Sequence, residues 1–149
     1  LDQVPARHLA RAPPPLPWPP IGEEVAAAAA RERSRRLLVL GTRYLMEGPV
    51  YPTKLAAAGI AHETPDAPTR EQINRHTMDE LVYGRFEDAT RAYFVRVIQE
   101  GKTRGCDAVA LSCTEFPLLV RPADSPLPTL DSTRLLARAA LREAAGAAA

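Results

Sequence analysis

The densest chemistry in this sequence is the tetrad Ser112-Cys113-Thr114-Glu115, which places a thiol and a carboxylate among two hydroxyls. The tetrad overlaps the end of Asp107 to Cys113 (DAVALSC), an apolar run of the kind expected of a strand buried on both faces. Thr114-Glu115-Phe116-Pro117 then opens a short helix, since proline is tolerated in a first turn. Cys113 is therefore expected between a strand end and a helix N-terminus. Such a position lowers a thiol pKa from about 8.5 and offers free N–H groups to an anion. The competing reading is that Cys113 is a small buried hydrophobe, as free cysteines often are. Cys106, in the turn sequence RGCDAV, has no polar neighbour that would suggest chemistry. The Cys-x6-Cys spacing is not that of a zinc knuckle, and His8, His62 and His76 are scattered, so no metal site is expected. His76 reads as an ordinary helix residue rather than a base. Neither a G-x-S-x-G elbow nor a glycine-rich phosphate loop is present, so serine catalysis and nucleotide binding have no support.

Several elements must hold that tetrad in place. Leu37 to Leu40 (LLVL) reads as a second buried strand, ending in Gly41-Thr42. Further strands are expected at Ile60 to Thr64 and Pro126 to Asp131. Helices are expected at Gly22 to Ser34, Met46 to Ala58, Thr69 to Val82, Phe86 to Thr103 and Ser132 to Ala145. Thr69 reads as an N-cap, Gly59 as a C-cap, and Asp131 or Ser132 as the cap of the last helix. Alternating strands and helices of this size indicate an α/β fold on a parallel sheet. Ligands bind such sheets at the carboxyl ends of the strands. The two strand ends that stand out are Gly41-Thr42 and Ser112 to Glu115.

Composition narrows the partners. The 149 residues are 46% hydrophobic and 25% charged, with a net charge of +1 and a mean hydropathy of −0.20. No apolar run approaches the ~18 residues of a membrane span. The basic cluster Arg31, Arg33, Arg35 and Arg36 is interrupted by Glu32 and falls at a helix end, where cations complement the helix dipole. With a pI near 8.0, no nucleic-acid partner is expected. Two cysteines and the lack of an apolar leader segment suggest a reducing, cytoplasmic setting. Pro13 to Pro20 (PPPLPWPP) has six prolines in eight residues and reads as an extended linker. Leu1 to Ala12 before it reads as the tail of a helix.

Taken together, these motifs resemble the aspartate/glutamate racemase family of cofactor-independent amino-acid racemases. Ser112 to Glu115 with Phe116-Pro117-Leu118-Leu119 is similar to that family's second cysteine motif, G-C-T-E. Leu38 to Glu47 is similar to its L-L-G-T-R-x-T-M-E segment. Ile73-Asn74, Asp79-Glu80-Leu81 and Gly84 match a family helix in order and spacing, and Pro128 to Thr133 resembles a closing P-x-x-D-T-T stretch. The resemblance runs from about residue 16 to the end, and Leu1 to Arg11 resembles the helix that follows the family's first cysteine motif. It implies a three-layer parallel-sheet lobe of a pseudo-symmetric two-domain fold, with the N-terminal lobe largely missing. On this reading residues 1–12 are a remnant helix, 13–20 a crossover, 21–131 the C-terminal lobe, and 132–149 a helix that packs on the other lobe.

The family mechanism uses two cysteines, one per lobe, on opposite faces of the substrate Cα, with neither metal nor pyridoxal phosphate. By resemblance, Cys113 is one acid/base residue. Thr42 and Thr114 hold the substrate carboxylate, and Glu115 supports the thiol or the ammonium. Nothing here matches the family's first cysteine motif, and Ser112 stands where a glycine is usual. Cys106 occupies the family's ordinary G-A-D position. The implied ligand is an amino acid or small carboxylic acid, and the chain is expected to form a homodimer or to self-associate through exposed apolar surface. Three functions follow as alternatives: an amino-acid racemase, a single-cysteine decarboxylase-like enzyme, or a catalytically inactive small-acid binding domain.

Overall fold

The computed structural model describes residues 19–146. The expectations for residues 1–12 and most of the proline linker therefore lie outside the described residues. Pro20, at the linker's end, is extended and precedes helix α1, Ile21–Arg31. The elements that follow are β1 Arg36–Leu40, α2 Arg43–Glu47, α3 Val50–Ala57, β2 Ala61–Glu63, α4 Ala67–Asp79, a 3-10 turn at Leu81–Tyr83, α5 Asp88–Thr103, β3 Ala108–Leu111, α6 Phe116–Leu119, β4 Thr129–Asp131 and α7 Ser132–Gly146. The four strands form one parallel sheet in the order β2-β1-β3-β4.

The apolar runs of β1 and β3 explain the layering. These are the two central strands, so both of their faces are covered. Leu38, Leu40, Val109 and Leu111 face a core shared with Ile73, Phe94, Ile98 and Phe116. Leu37, Val39, Ala108 and Ala110 face the opposite core with Val25, Ala29, Tyr51 and Leu55. The sheet is thus sandwiched between two helical layers, the three-layer α/β lobe expected from the alternation. At one point α5 comes very close to β1. A Cβ on Gly101 would lie 2.7 Å from Leu38 Cδ2, so only glycine fits without displacing a core leucine. On the other side of β1, Glu63 pairs with Arg36 at 2.6 Å and Arg104 at 2.7 Å, tying β2 to both β1 and α5.

Several boundaries differ from the sequence reading for local reasons. The stretch Met46 to Ala58, expected to be mostly helical with Pro49 and Pro52 in its first turn or breaking it, is two helices, broken where Gly48 is extended and Pro49 follows. Pro52 falls in the first turn of α3, where its missing N–H costs nothing. The N-cap of α4 is Asp66 rather than Thr69: Asp66 Oδ1 accepts from the Thr69 backbone N–H at 3.0 Å. Replacing Asp66 with alanine should cost about 1 kcal/mol, the usual worth of such a cap, measurable by urea unfolding. Helix α4 stops at Asp79, and the chain turns through Gly84 at φ 73°, a left-handed conformation glycine adopts readily. Gly59 does end α3 in the same conformation, as expected. Asp131 Oδ1 caps α7 through the Arg134 N–H at 2.9 Å, while Ser132 Oγ donates to the Leu111 carbonyl at 3.0 Å. Among the described residues, α7 packs on α1 and β4, with Ala139 buried and Arg142 paired to Glu24 at 2.7 Å. No described helix is long and apolar enough to cross a membrane.

Candidate active site

The pairing of β1 with β3 brings the two distinctive strand ends together. Leu40 is in register with Leu111, and the Ser112 N–H donates to the Leu40 carbonyl at 2.8 Å. The chains beyond, Gly41-Thr42 and Ser112-Cys113, therefore leave the sheet side by side. Their closeness accounts for Gly41: a Cβ there would lie 2.7 Å from Leu45 Cδ2 and 3.3 Å from the Ser112 carbonyl oxygen.

Thr42 caps α2, its side chain accepting from the Leu45 N–H at 3.4 Å. The next residue is held from a distant element, since the Arg43 N–H donates to Asn74 Oδ1 on α4 at 3.1 Å. Sequence reading found Asn74 only as one letter of a motif. Its contact spans 31 positions, and no local pattern predicts it.

Cys113 is half-buried, and its Sγ donates to Glu115 Oε2 at 2.9 Å. Thr114 Oγ1 donates to the same oxygen at 2.7 Å. A thiol, a hydroxyl and a carboxylate thus form one connected cluster at the end of β3. Burial and the adjacent carboxylate push the Cys113 thiol up to about 12. This reverses the expectation that the following helix would lower it. Backbone N–H groups of Thr114 and Glu115 do pull the thiol down, but α6 is only four residues long and carries little dipole. A negative charge in direct contact and the loss of water outweigh it. The same hydrogen bond holds the Glu115 carboxyl below its usual range, against the opposing effect of partial burial. Cys113 is accordingly a protonated thiol at neutral pH, hydrogen-bonded to an ionised acceptor.

Ser112 contributes differently. Its hydroxyl is buried and has no hydrogen-bond partner among the described residues. A buried, unpaired hydroxyl is destabilising. We expect Ser112→Ala to raise stability by about 1 kcal/mol, on the order of 2–4 °C in melting temperature for a chain this size. A lower melting temperature would contradict it.

The other sequence candidates lie elsewhere. Cys106 precedes β3, at the end opposite Cys113, and is buried, with its thiol pushed up to about 11 mainly by loss of water. Both cysteines are free. His76 belongs to a cluster on α4 and α5: its Nδ1 lies 2.9 Å from Glu80 Oε1, its Nε2 3.1 Å from Gln72 Nε2, and Thr90 Oγ1 donates to Glu80. The ring packs against Tyr93 and Phe94, a structural rather than a reactive setting. No described group of three or more His, Cys, Asp or Glu side chains could hold a metal ion. A pocket of about 260 Å3 beside β4 is lined by residues that include Leu111, Val120, Leu130, Arg134 and Arg138. Cys113 and Thr42 do not line it, so its volume says nothing of their chemistry.

Comparison with known proteins agrees with this architecture. The family model for Asp/Glu/hydantoin racemases matches residues 2–140. A candidate Asp/Glu racemase from Yersinia pestis superposes with a TM-score of 0.83 at 32% identity, over 93% of this chain and 60% of its own. An aspartate racemase homologue from Pyrococcus horikoshii OT3 gives 0.83 at 26% identity, over 94% and 61%. The aspartate racemase of Picrophilus torridus, at 20% identity, a TM-score of 0.64, and 84% and 52% coverage, shares the fold. The chain thus spans about 60% of the length of the first two structures. Matched along nearly all of its length by the family model and by these structures, the chain belongs to the Asp/Glu/hydantoin racemase family.

Proposed function

We propose that this chain catalyses proton exchange at the Cα of an amino acid, as a cofactor-independent racemase, with Cys113 carrying the proton. The observation behind this reading is the Cys113–Glu115 hydrogen bond of 2.9 Å at the carboxyl end of a central strand. A proton next to a carboxylate is only weakly acidic, so its removal needs a positioned base and stabilisation of the negative charge that develops. Glu115 can accept the thiol proton, leaving a thiolate that takes the Cα proton. Return of a proton from the thiol to the carbanion, and of the carboxyl proton to the thiolate, restores both groups and exchanges Cα hydrogen on one face. Inversion needs a second donor on the opposite face. Thr42 and Thr114 hydroxyls bind the substrate carboxylate in this reading, while the Glu115 carboxylate also suits the substrate ammonium. The reaction needs a free thiol, which fits a reducing, cytoplasmic setting.

A second reading is favoured by the protonated state of Cys113. A thiol pushed up to about 12 is a ready proton donor, so a carbanion formed by loss of carbon dioxide could be protonated from one side. Deuterium wash-in at Cα of L- and D-aspartate, run beside turnover of a malonate-type diacid, separates the two. Wash-in accompanied by inversion supports the racemase, and turnover of the diacid alone supports one-sided protonation. If neither reaction depends on Cys113, both readings fail and the domain is a small-acid binder.

A further inference from the structure

We infer that Asn74 is a positioning residue for substrate binding: from α4 it fixes the backbone just after Thr42, and through it the Thr42 hydroxyl. This rests on the racemase reading above, in which Thr42 binds the substrate carboxylate, and adds what holds Thr42.

Thr42 stands between the end of β1 and helix α2, which has five residues. A helix that short has no stability of its own. The cap that Thr42 provides is long, its Oγ1 accepting from the Leu45 N–H at 3.4 Å. A hydroxyl that accepts there keeps its own proton to donate, which is what a carboxylate ligand requires. The local sequence thus leaves Thr42 able to bind an acid but poorly fixed in place.

Asn74 supplies the hold. Its Oδ1 accepts from the Arg43 N–H at 3.1 Å, one of the first-turn N–H groups that a helix cannot pair internally. Only an oxygen can accept that bond, so the amide has one orientation. The asparagine is carried on a rigid stretch of α4. Ile73 before it is fully buried in the core it shares with Leu40, the last residue of β1. Thr77 Oγ1 donates to the Ile73 carbonyl at 2.7 Å. Two ion pairs also join α4 to α2, Glu71 with Arg43 at 3.0 Å and Arg70 with Glu47 at 3.3 Å. Both are within reach of water, where such pairs contribute little, and both join side-chain ends rather than the backbone beside Thr42.

For the helix alone, asparagine is an unfavourable choice. It is a poorer helix former than alanine, and Asn74 sits in the interior of α4. Its bond to Arg43 is solvent-exposed, so water can replace it with little loss to the fold. Water cannot hold Arg43 in one place. The value of the bond is therefore the geometry it imposes on the neighbouring Thr42.

NMR titration with L-aspartate, L-glutamate and malonate reads the role of Asn74 without depending on catalysis. We expect Asn74→Ala to weaken binding by about tenfold, the scale of a misplaced contact. Its melting temperature should stay within about 2 °C of the wild type. The Arg43 amide proton should exchange faster with solvent in Asn74→Ala and at the wild-type rate in Asn74→Asp, which keeps the acceptor oxygen. In a Thr42→Val background, Asn74→Ala should add less than about a further twofold, because it acts through Thr42. Wild-type affinity in Asn74→Ala, unchanged Arg43 exchange, a tenfold loss that persists in Thr42→Val, or binding of none of the three acids would each overturn the proposal. Failure of the racemase reading alone would appear instead as the expected pattern of affinities with no Cys113-dependent wash-in.

Discussion

Cys113→Ala should lower Cα proton exchange by about 10²–10⁴-fold, the usual worth of a positioned acid/base group. The loss should exceed that from any other single change at the site, because Glu115 acts on the proposed proton transfer through that thiol and the Thr114 hydroxyl donates to Glu115. The pH dependence follows from the raised thiol. With Cys113 near 12, the thiolate fraction is small at neutral pH and grows as the solution becomes alkaline. Wild-type exchange should therefore climb with pH, measured in buffers below the onset of alkaline unfolding. Glu115→Gln should bring the thiol down from that value without restoring an ordinary one, since burial is the larger cause of the shift. An iodoacetamide rate profile reads this directly. The same linkage has a sign for stability. The folded chain keeps a proton that the unfolded chain gives up near pH 8.5. The stabilising contribution is thus complete below that pH and is lost as pH rises towards 12.

Phe94→Ala should cost about 3–5 kcal/mol, enough to remove much of the stability of a domain this size. Phe94 is fully buried in the core between the sheet and the α4–α6 layer. Its ring meets Phe116 edge-on at 4.9 Å and lies 6.2 Å from Tyr93. Truncation would leave a cavity beneath α6, and Phe116 is the residue after Glu115. The site should loosen along with the fold. Urea unfolding followed by circular dichroism measures the cost. A loss under about 1 kcal/mol would mean the core closes over the gap better than the packing suggests.

The central part of this structure was legible from local pattern. LLVL and DAVAL are too short for helices and too apolar for exposed strands, and they do become the two inner strands. The position of Cys113 at the end of one of them followed directly. The features that escaped depend on contacts across the chain. Thr69 resembles a cap, but Pro68 is accommodated in the first turn and Asp66 takes the role. Asn74 matters through a bond to Arg43 across 31 positions. Glu63 matters because two arginines converge on it. The direction of the Cys113 shift was missed because it is a balance of magnitudes. The sequence places a helix N-terminus and a carboxylate equally near the thiol, and only the depth of burial and the geometry of one hydrogen bond decide between them.

Cys113 is the proposed proton carrier, and solvent deuterium incorporation into L-aspartate compares the two cysteines most directly. Wild-type and Cys106→Ala chains should both accumulate Cα deuterium by proton NMR, while Cys113→Ala should not. Incorporation by Cys113→Ala at the wild-type rate, or its loss in Cys106→Ala with the fold intact, would contradict the account.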